Sequence, residues 1–398
     1  MARARLLDLT RSLRRAGRGV TGVDRVELAY LEHFLANEAP VFGVIRTAFG
    51  YVILDSQGLG KFFNNLQGAN SWGAASVLSR LARGRSASVK RAESDVRRWS
   101  IARSVRSRLA QMLQKTLPDG FDYYNVGHSN LTDRMMRGVK AVGGDIHVLI
   151  HDVIPLEYPD FQRPGTVAPF RAKLGRVSAY ADRVIFNSQD TRRRAEQYMR
   201  EFGQVPPSIV AYLGTIDPRP DPVDLPADLP PEKPYFVTVG TIEPRKNHAF
   251  LLDIWDELGD TAPPLLICGS RGWNNEAVFA RLDSLSDKNP VRECSGLGDG
   301  ALAALVQNSA GALFPSFAEG YGLPPIEAIS LGARVLCNDL PVLHEILGVN
   351  ASFAPVSERQ LWLNKIREWE KTLPEVGDQE PFIRPKWHDH FKTVLRLT

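Results

Sequence analysis

The sequence predicts an α/β protein of two domains, each built on a parallel sheet with helices on both faces. Its 398 residues exceed what one ordinary core accommodates. Short apolar segments alternate with amphipathic ones along the chain, which is typical of parallel sheets covered by helices. Nine prolines fall between Pro206 and Pro234, where they would stiffen a linker and interrupt helices. We therefore expect the domain boundary in this proline-rich segment.

Hydrophobic periodicity predicts the elements of both halves. In the first half we expect strands at residues 40–47, 122–126, 145–150 and 183–186, and helices at 26–35, 170–181 and 190–201. In the second half we expect strands at 235–239, 264–268, 311–314 and 334–338, and helices at 249–258, 276–285, 300–308 and 325–331. Ligands of such sheets bind beyond the carboxyl ends of the strands. The candidate site loops therefore follow residues 126, 150, 186, 239, 268 and 314.

Composition places the chain among soluble globular proteins, with 43% hydrophobic and 24% charged residues. The first ten residues contain no apolar signal core, and no apolar stretch is long enough to span a membrane. The cysteines Cys268, Cys294 and Cys337 are few and widely spaced, which favours free thiols over disulfides or a metal site. We therefore expect a cytoplasmic protein without a bound metal.

Positive charge is concentrated in the first third of the chain. Residues 1–115 hold 20 Lys and Arg against 8 Asp and Glu, whereas the remainder is net acidic. Between Arg80 and Lys115, apolar residues are interleaved at helical spacing, which predicts helices with one basic and one apolar face. Such helices can be an ordinary solvated surface or a docking surface for anionic lipid. Because no aromatic stacking pattern or nucleic-acid module is visible, we expect no nucleic-acid partner.

The segment 315–332 carries the densest functional signal. Gly320 and Gly322 allow the backbone to turn tightly and approach a ligand. Pro324 and Pro325 suit the first turn of a helix, where a missing N–H costs little. The free N–H groups and the dipole of that helix start favour an anion such as a diphosphate.

Two carboxylates flank this turn, Glu319 before it and Glu327 on the helix. One could face the sugar of a ligand and the other its ribose, because ionised carboxylates accept hydrogen bonds from pairs of hydroxyls. An ordinary capped helix is the alternative. The combination of strand, glutamate, Gly-Tyr-Gly, Pro-Pro and a second glutamate is much harder to obtain by chance, and it predicts a nucleotide-sugar site.

The loop after the strand at 235–239 adds two cations. Gly240 permits close approach, and Arg245 and Lys246 follow at the carboxyl end of the strand. A diphosphate leaving group needs such compensation as its charge grows, and arginine can hold two phosphate oxygens in its planar fork. The alternative is a surface loop in which Asn247 caps the next helix.

Polar residues follow two strands of the first half. His151 and Asp152 come after the strand at 145–150, where the histidine could donate to a sugar oxygen or be a structural residue held by Asp152. Asn125 and His128 occupy the same place one strand earlier, and these two residues together with Asp152 could contact an acceptor.

Two glycine-containing loops complete the candidate site. Gly22 could bring a backbone N–H close to a phosphate or an acceptor, with Thr21 or Asp24 capping the following helix. The run Gly269-Ser270-Arg271 follows the strand at 264–268 and could border the base or the diphosphate.

These motifs resemble those of the family 4 retaining glycosyltransferases of the GT-B fold. The matching residues are Val239 to Thr241, Arg245 to Asn247, Cys268 to Trp273 and Pro315 to Ala328. The runs that resemble the branch of bacterial polysaccharide mannosyltransferases are Thr21 to Val26, Ile150 to Pro155 and Asn187-Ser188. The resemblance covers essentially the whole chain and is weakest in residues 50–120. One departure from the pattern is Thr241-Ile242-Glu243.

The resemblance implies two facing Rossmann-like domains with the donor in the cleft between them. The first would span residues 1–214, the second 215–380, and a C-terminal helix at 381–398 would pack back on the first.

The same resemblance assigns roles to the candidate residues. Arg245 and Lys246 would bind the donor diphosphate, and Glu327 would hold the ribose hydroxyls. Glu319 would position the donor sugar, His151 would lie beside the scissile bond, and Gly22 would shape the loop next to the phosphates. Backbone N–H groups would assist Glu319, namely those of Gly320, Tyr321, Gly322 and Leu323.

The predicted activity is a metal-independent, retaining hexose transfer onto a glycan or a lipid-linked oligosaccharide. GDP-mannose is the favoured donor, and no cofactor is expected. The location would be the cytoplasm or the inner face of its membrane. The alternatives are a UDP- or dTDP-sugar donor, a sugar phosphorylase or epimerising enzyme of the same fold, and an inactive nucleotide-sugar-binding scaffold.

Overall fold

The computed structural model describes residues 3–215, 219–231, 234–286, 288–372 and 382–397. The first domain contains an eight-stranded sheet in the order β4-β3-β2-β1-β5-β6-β7-β8. β2 with β3 and β3 with β4 pair antiparallel, and the other neighbours pair parallel. The strands are β1 (Arg5–Asp8), β2 (Val41–Thr47), β3 (Gly50–Leu54), β4 (Ala102–Ser104), β5 (Asp122–Asn125), β6 (Asp145–Ile150), β7 (Arg183–Phe186) and β8 (Ser208–Val210).

Helices cover both faces of this sheet, and its central strands are accordingly buried on both sides. They are α1 (Thr10–Arg15), α2 (Gly22–Leu35), α3 (Ser56–Leu66), α4 (Val77–Arg80), α5 (Ala87–Trp99), α6 (Leu109–Thr116), α7 (Asp133–Ala141), α8 (Ile154–Glu157), α9 (Val167–Tyr180) and α10 (Gln189–Glu201).

The second domain contains a six-stranded parallel sheet in the order β11-β10-β9-β12-β13-β14. Its strands are β9 (Phe236–Val239), β10 (Leu265–Cys268), β11 (Val291–Cys294), β12 (Gly311–Phe314), β13 (Val335–Cys337) and β14 (Ser352–Phe353). The helices that follow β8 are α11 (His248–Leu258), α12 (Glu276–Asp283), α13 (Asp299–Gln307), α14 (Leu323–Ser330), α15 (Pro341–Leu347), α16 (Arg359–Glu370) and α17 (Trp387–Leu397).

The last helix, α17, lies against α2 of the first domain. The Tyr30 hydroxyl is 2.8 Å from His390 Nε2, and the Phe391 ring stacks on His33 with 3.8 Å between ring centroids. The chain therefore returns to the first domain after completing the second. The domain limit placed at residues 380 and 381 lies outside the described residues.

All eight predicted strands are confirmed, with ends that differ by one residue at most. The prediction of amphipathic helices between Arg80 and Lys115 is wrong for the residues between α5 and α6. There β4 pairs antiparallel with β3, so Ile101 and Val105, assigned to an apolar helix face, are exposed beside an edge strand. Sheet hydrogen bonds to β3 override the weak helical spacing of this short segment.

A buried carboxyl group on α2 stands out among the charged residues of the first domain. Glu27 is 1% exposed, and its Oε2 accepts hydrogen bonds from the Ser12 amide, at 2.9 Å, and from the Ser12 hydroxyl. Burial raises the pKa of Glu27 to about 8, because ionisation would place a charge in a site without water.

We expect Glu27→Gln to stabilise the protein increasingly as pH rises. The pKa of Glu27 in the folded state, about 8, lies above its ordinary value of 4.5. Its contribution is therefore fully present below pH 4.5 and is lost as pH rises through 8. Glutamine does not ionise, so the free energy of unfolding of the variant relative to wild type should rise by a few kcal/mol between about pH 5 and about pH 9.

Urea unfolding at acidic, neutral and alkaline pH measures this difference. Glu32→Gln, which removes an exposed carboxylate from the same helix, is the matched control and should show no such trend. A difference that stays constant with pH for Glu27→Gln would contradict the raised pKa.

Candidate functional site

Loops from the carboxyl ends of both sheets meet between the domains. A Cβ added to Gly320, after β12, would lie 2.8 Å from the carbonyl oxygen of His151, after β6. The Thr191 hydroxyl of α10 donates to the Gly320 carbonyl at 3.1 Å, and the Tyr321 hydroxyl donates to the Leu213 carbonyl at 2.9 Å. Glycine at 320 is therefore required by close approach across the cleft.

Glu319 lies at the centre of the site and is only 6% exposed. It accepts hydrogen bonds from Lys246 Nζ at 2.6 Å and from Arg245 Nη1 at 2.9 Å. Burial disfavours its ionised form, but Lys246 and Arg245 outweigh burial and lower the pKa of Glu319 to about 2. Burial and the charge of Arg245 also lower the pKa of Lys246, although Glu319 opposes this effect. The sequence prediction that these residues share one site is consistent with this geometry.

The cation loop after β9 is held rigidly in place. Arg245 also donates from Nη2 to Glu243 at 2.7 Å, so the departure noted in the sequence supplies a partner for this arginine. Its carbonyl accepts from the Phe317 amide at 2.8 Å, which ties the loops after β9 and β12 together. Asn247, the cap in the alternative interpretation, does occupy the N-cap position of α11. Its φ is +55°, however, and its side-chain amide donates to the Pro315 carbonyl and does not cap the helix.

Two glycines provide the space that this loop needs. Gly240 has a φ of +145°, and a Cβ there would lie 3.3 Å from Lys246 Cε. A Cβ on Gly269 would lie 1.9 Å from the Gly240 carbonyl oxygen, so the loops after β9 and β10 pack backbone to backbone. Ser270, next to Gly269, is exposed.

Helix α14 begins at Leu323, directly after Gly322, whose φ is +93°. Glu327 on its second turn accepts from Arg25 Nη1 at 2.6 Å, and Arg25 Nη2 lies 3.4 Å from Asp299. Burial raises the pKa of Glu327, and the neighbouring Arg25 opposes the shift. The Arg25–Glu327 contact joins α2 of the first domain to α14 of the second.

A cavity of about 470 Å³ opens beside this contact. Polar residues from both domains line it together with apolar side chains of α13 and α14, the polar ones being Arg25, Arg219, Asp299 and Glu327. The cavity has the size and the mixed lining of a small-molecule site. It runs along one face of α14, from Pro324 at the helix start, where an anion is favoured, to Leu331 just past its end.

His151 is 6% exposed, and its Nε2 lies 2.6 Å from the Val126 carbonyl oxygen. Burial lowers its pKa to about 4, so the ring is neutral at pH 7 and carries its proton on Nε2. Its Nδ1 is consequently an acceptor. From its position in the sequence we expect His151 to donate to a sugar oxygen, whereas this tautomer would accept from a sugar hydroxyl.

The residues predicted to contact an acceptor differ in their surroundings. Asn125 is buried, and its amide donates to the Tyr123 hydroxyl and the Ser129 carbonyl, within the first domain. His128 packs against His151 with 5.0 Å between ring centroids. Asp152 accepts from the Ile154 amide at 3.1 Å, and burial raises its pKa against the effect of Arg245.

Two predicted donor residues have other partners. The Arg271 guanidinium contacts Asp283 at 2.6 Å and Glu293 at 2.8 Å, so the structure does not bring it to Glu319. The Tyr321 side chain is buried, and its hydroxyl donates to the Leu213 carbonyl, as described above. Gly22 begins α2, and a Cβ there would lie 3.3 Å from Leu323 Cδ1, opposite the start of α14.

Sequence reasoning missed Arg25, Arg219 and Asp299 as lining residues. A signal for Arg25 existed, because it follows Gly22 by three residues and therefore lies on the same helix face. Asp299 is the first residue of α13 and Arg219 lies in a loop, and neither stands in a recognisable motif. Among the described residues, no three His, Cys, Asp or Glu side chains cluster as metal ligands would.

The structure comprises two Rossmann-like domains with the buried charged cluster and the cavity between them. Residues 226–375 match the model of the family Glycosyl transferases group 1. The second domain is thus similar to group 1 glycosyltransferases, and the predicted resemblance to family 4-like enzymes is confirmed.

Two curated relatives are bacterial mannosyltransferases. Serotype-specific mannosyltransferase WbdA of Escherichia coli is 28% identical over 250 residues, which cover 58% of this chain and 30% of WbdA. O-antigen chain mannosyltransferase RfbU of Salmonella typhimurium is 29% identical over 164 residues, 40% of this chain and 45% of RfbU. The chain therefore spans less than half the length of either relative.

Solved structures share the whole architecture at low identity. The Anabaena protein HepE in complex with UDP-glucose has a TM-score of 0.65 and 14% identity, with 100% of this chain and 99% of HepE covered. Sucrose-phosphate synthase of Thermosynechococcus elongatus has a TM-score of 0.62 and 14% identity, with 100% and 98% covered. The predicted GT-B fold is confirmed.

Proposed function

We propose that this protein transfers a hexose from a nucleoside-diphosphate sugar to a glycan or a lipid-linked oligosaccharide in bacterial surface polysaccharide synthesis. The observation that carries the proposal is the buried cluster of Glu319, Arg245 and Lys246 in the cleft that also holds the Glu327 cavity. The names of the curated relatives support hexose transfer. Free cysteines suit a reducing cytoplasm, where we place the reaction.

In the proposed mechanism the donor diphosphate binds at the start of α14, beside Arg245 and Lys246. The bond between the sugar C1 and the diphosphate oxygen breaks, and its electrons go to the diphosphate, whose growing charge these two cations stabilise. Glu319 accepts hydrogen bonds from sugar hydroxyls. His151 accepts another through Nδ1.

The acceptor hydroxyl attacks C1 from the face that the diphosphate leaves, so the configuration is retained. Its proton goes to the departing phosphate, and no side-chain nucleophile is needed. The two basic side chains supply the charge compensation that a metal supplies elsewhere, so transfer should persist in the presence of a chelator.

We propose GDP-mannose as the donor, with Asp299 as the residue that selects the base. Its carboxylate is 88% exposed and lines the cavity that contains Glu327. Guanine presents two adjacent N–H groups, on N1 and N2, and one carboxylate can accept hydrogen bonds from both. Uracil presents a single N–H between two carbonyl oxygens, which a carboxylate would repel. Arg219, on the same lining, could donate to the guanine O6.

Calorimetric titration with GDP, UDP, dTDP and ADP in the presence of a chelator tests the nucleotide site. We expect a clear preference for GDP, and Asp299→Ala should weaken GDP binding at least about tenfold while leaving UDP binding unchanged, because it removes a charge-assisted pair of hydrogen bonds. Glu276→Ala, an exposed acidic residue at the start of α12, is the matched control.

A preference for another nucleotide would remove the mannose assignment and keep the fold and the mechanism. Binding to none of the four would favour the inactive scaffold. Product analysis with GDP-mannose and a glycan acceptor separates transfer from phosphorolysis or epimerisation, since these release a sugar phosphate or an epimer without an acceptor.

A further inference from the structure

Exposed apolar side chains are concentrated at one edge of the first domain. Among the described residues, six of the thirteen exposed large hydrophobic residues belong to α4, to the residue that follows it, to the two positions that flank β4 and to the β2–β3 turn. We call this the edge surface, and its apolar residues are Phe49, Val77, Leu78, Leu81, Ile101 and Val105.

The parts of the edge surface are held together through α5. The Arg97 guanidinium donates to the Ser79 hydroxyl and thereby ties α5 to α4. Buried Glu93 accepts from the Ala48 amide of the β2–β3 turn at 3.1 Å. Arg106, just beyond β4, donates to the Ala48 carbonyl at 3.2 Å. The exposed apolar side chains therefore share one neighbourhood of the fold.

The exposed charge of residues 56–115, which include most of the edge surface, has a single sign. Between Ser56 and Lys115 the sequence contains only two acidic residues, Glu93 and Asp95. Glu93 is 0% exposed beside Arg97, and Asp95 accepts from the Gly73 amide at 2.7 Å and from Arg98. No carboxylate partner within the described ranges reaches the edge-surface arginines, which are Arg80, Arg83, Arg103, Arg106 and Arg108.

We propose that the edge surface docks the protein on an anionic lipid bilayer. Arginines and apolar residues alternate across it, as where Leu81 precedes Arg83 and Val105 follows Arg103. A lipid interface offers phosphate groups and acyl chains side by side, so it matches such a mixture. Protein interfaces instead tend to have a core depleted of charge and a polar rim.

Docking here would be peripheral. Within the described part of the chain, no helix is long and apolar enough to cross a membrane. The edge surface belongs to the first domain, where we place the acceptor side, so binding would hold that side of the cleft near lipid-linked acceptors. The inference is independent of the donor nucleotide.

Sedimentation of the purified full chain with vesicles tests the proposal. We expect binding to phosphatidylcholine vesicles that contain phosphatidylglycerol, little binding to phosphatidylcholine alone, and weakening by salt, which screens the arginines. The double variant Leu81→Ser with Arg83→Glu should lower the partition coefficient at least about tenfold. It removes an apolar side chain, and the anionic lipid surface repels the glutamate that replaces the arginine. Val105→Ser with Arg103→Glu should lower the partition coefficient in the same way.

A matched pair on α16 provides the control. Leu361→Ser with Arg367→Glu removes one exposed leucine and one exposed arginine from the second domain and should bind vesicles as wild type does. Circular dichroism melting confirms that all variants fold, and GDP titration reports the donor site separately.

Two results would overturn the proposal. Wild type that does not sediment with anionic vesicles would exclude the lipid surface and leave an acidic protein as the occupant. Edge-surface variants that sediment as well as the α16 control would show that lipid binds elsewhere. Neither result bears on hexose transfer, which soluble-acceptor assays measure independently.

Discussion

Lys246→Ala should lower turnover at least about tenfold and weaken GDP binding, since a lost charge-assisted contact is worth roughly 1.5–3 kcal/mol. Its ammonium group lies 2.6 Å from Glu319 Oε1, in a loop whose glycine leaves room for the lysine stem. In the proposed mechanism this cation opposes the charge that develops on the leaving diphosphate. The effect should therefore appear in kcat as well as in nucleotide affinity.

Arg271→Ala is the matched control for this loss of a cation. The sequence placed Arg271 in the same donor site, whereas the structure pairs it with Asp283 and Glu293. We expect a rate close to that of wild type. Lys246→Arg should retain part of the rate, because a guanidinium group keeps the positive charge but differs from the ammonium group in size and geometry. A normal rate in Lys246→Ala would contradict the assignment of the diphosphate site.

Glu319→Gln should affect both stability and turnover. Removing the carboxylate charge leaves Lys246 without a counter-charge in a buried site, and Arg245 keeps only Glu243. Breaking a buried ion pair in this way costs about 3–5 kcal/mol. Turnover should fall at least about tenfold as well, because a neutral amide is a weaker acceptor for sugar hydroxyls.

The stability loss of Glu319→Gln should depend on pH. The pKa of Glu319, about 2 in the folded state, is below its ordinary value of 4.5. Its contribution is present above pH 4.5 and is lost as pH falls towards 2. The difference in unfolding free energy between wild type and variant should therefore shrink below about pH 4.5. Urea unfolding across this range, with kcat measured at neutral pH, provides both readouts.

Glu368→Gln is the control for the loss of an ordinary surface ion pair. Glu368 contacts Lys365 at 2.9 Å and is 61% exposed, so its removal should cost less than about 1 kcal/mol. If Glu319→Gln were as mild as this control at neutral pH, the buried cluster would not have the electrostatics assigned to it. If Glu319→Gln were unstable but fully active, Glu319 would be a structural residue only.

Eight of the fourteen strands that the structure describes were predicted from the sequence, because their signal is local. β6, β9, β10 and β12 are short apolar runs between turn residues, buried on both faces. β3 and β4 were missed because they extend an edge by antiparallel pairing, which depends on partners far along the chain. The start of α14 was predicted at Pro325, two residues after its observed start at Leu323. The helix begins directly after Gly322, whose backbone is left-handed.

The candidate site was predictable where a motif is contiguous. Glu319, Glu327, Arg245 and Lys246 each stand in a strand–turn–helix context, which indicates position and chemistry together. Side-chain partners were not predictable.

Arg271 and Arg25 illustrate this difference. Both follow a glycine loop, yet Arg271 pairs with carboxylates of the second domain's edge, while Arg25 reaches Glu327 across the cleft. Only the packing of the two domains decides which arginine faces α14.

The order of residues thus determined two parallel-sheet domains, the glycine turns and the charged groups at strand ends, because periodicity and turn chemistry act over a few residues. The tertiary structure decided which charges meet, that His151 is neutral with an accepting Nδ1, and that the acidic residues of the basic segment are buried. These properties depend on burial and on contacts between residues distant in sequence. They require the assembled fold, since neither has a local pattern.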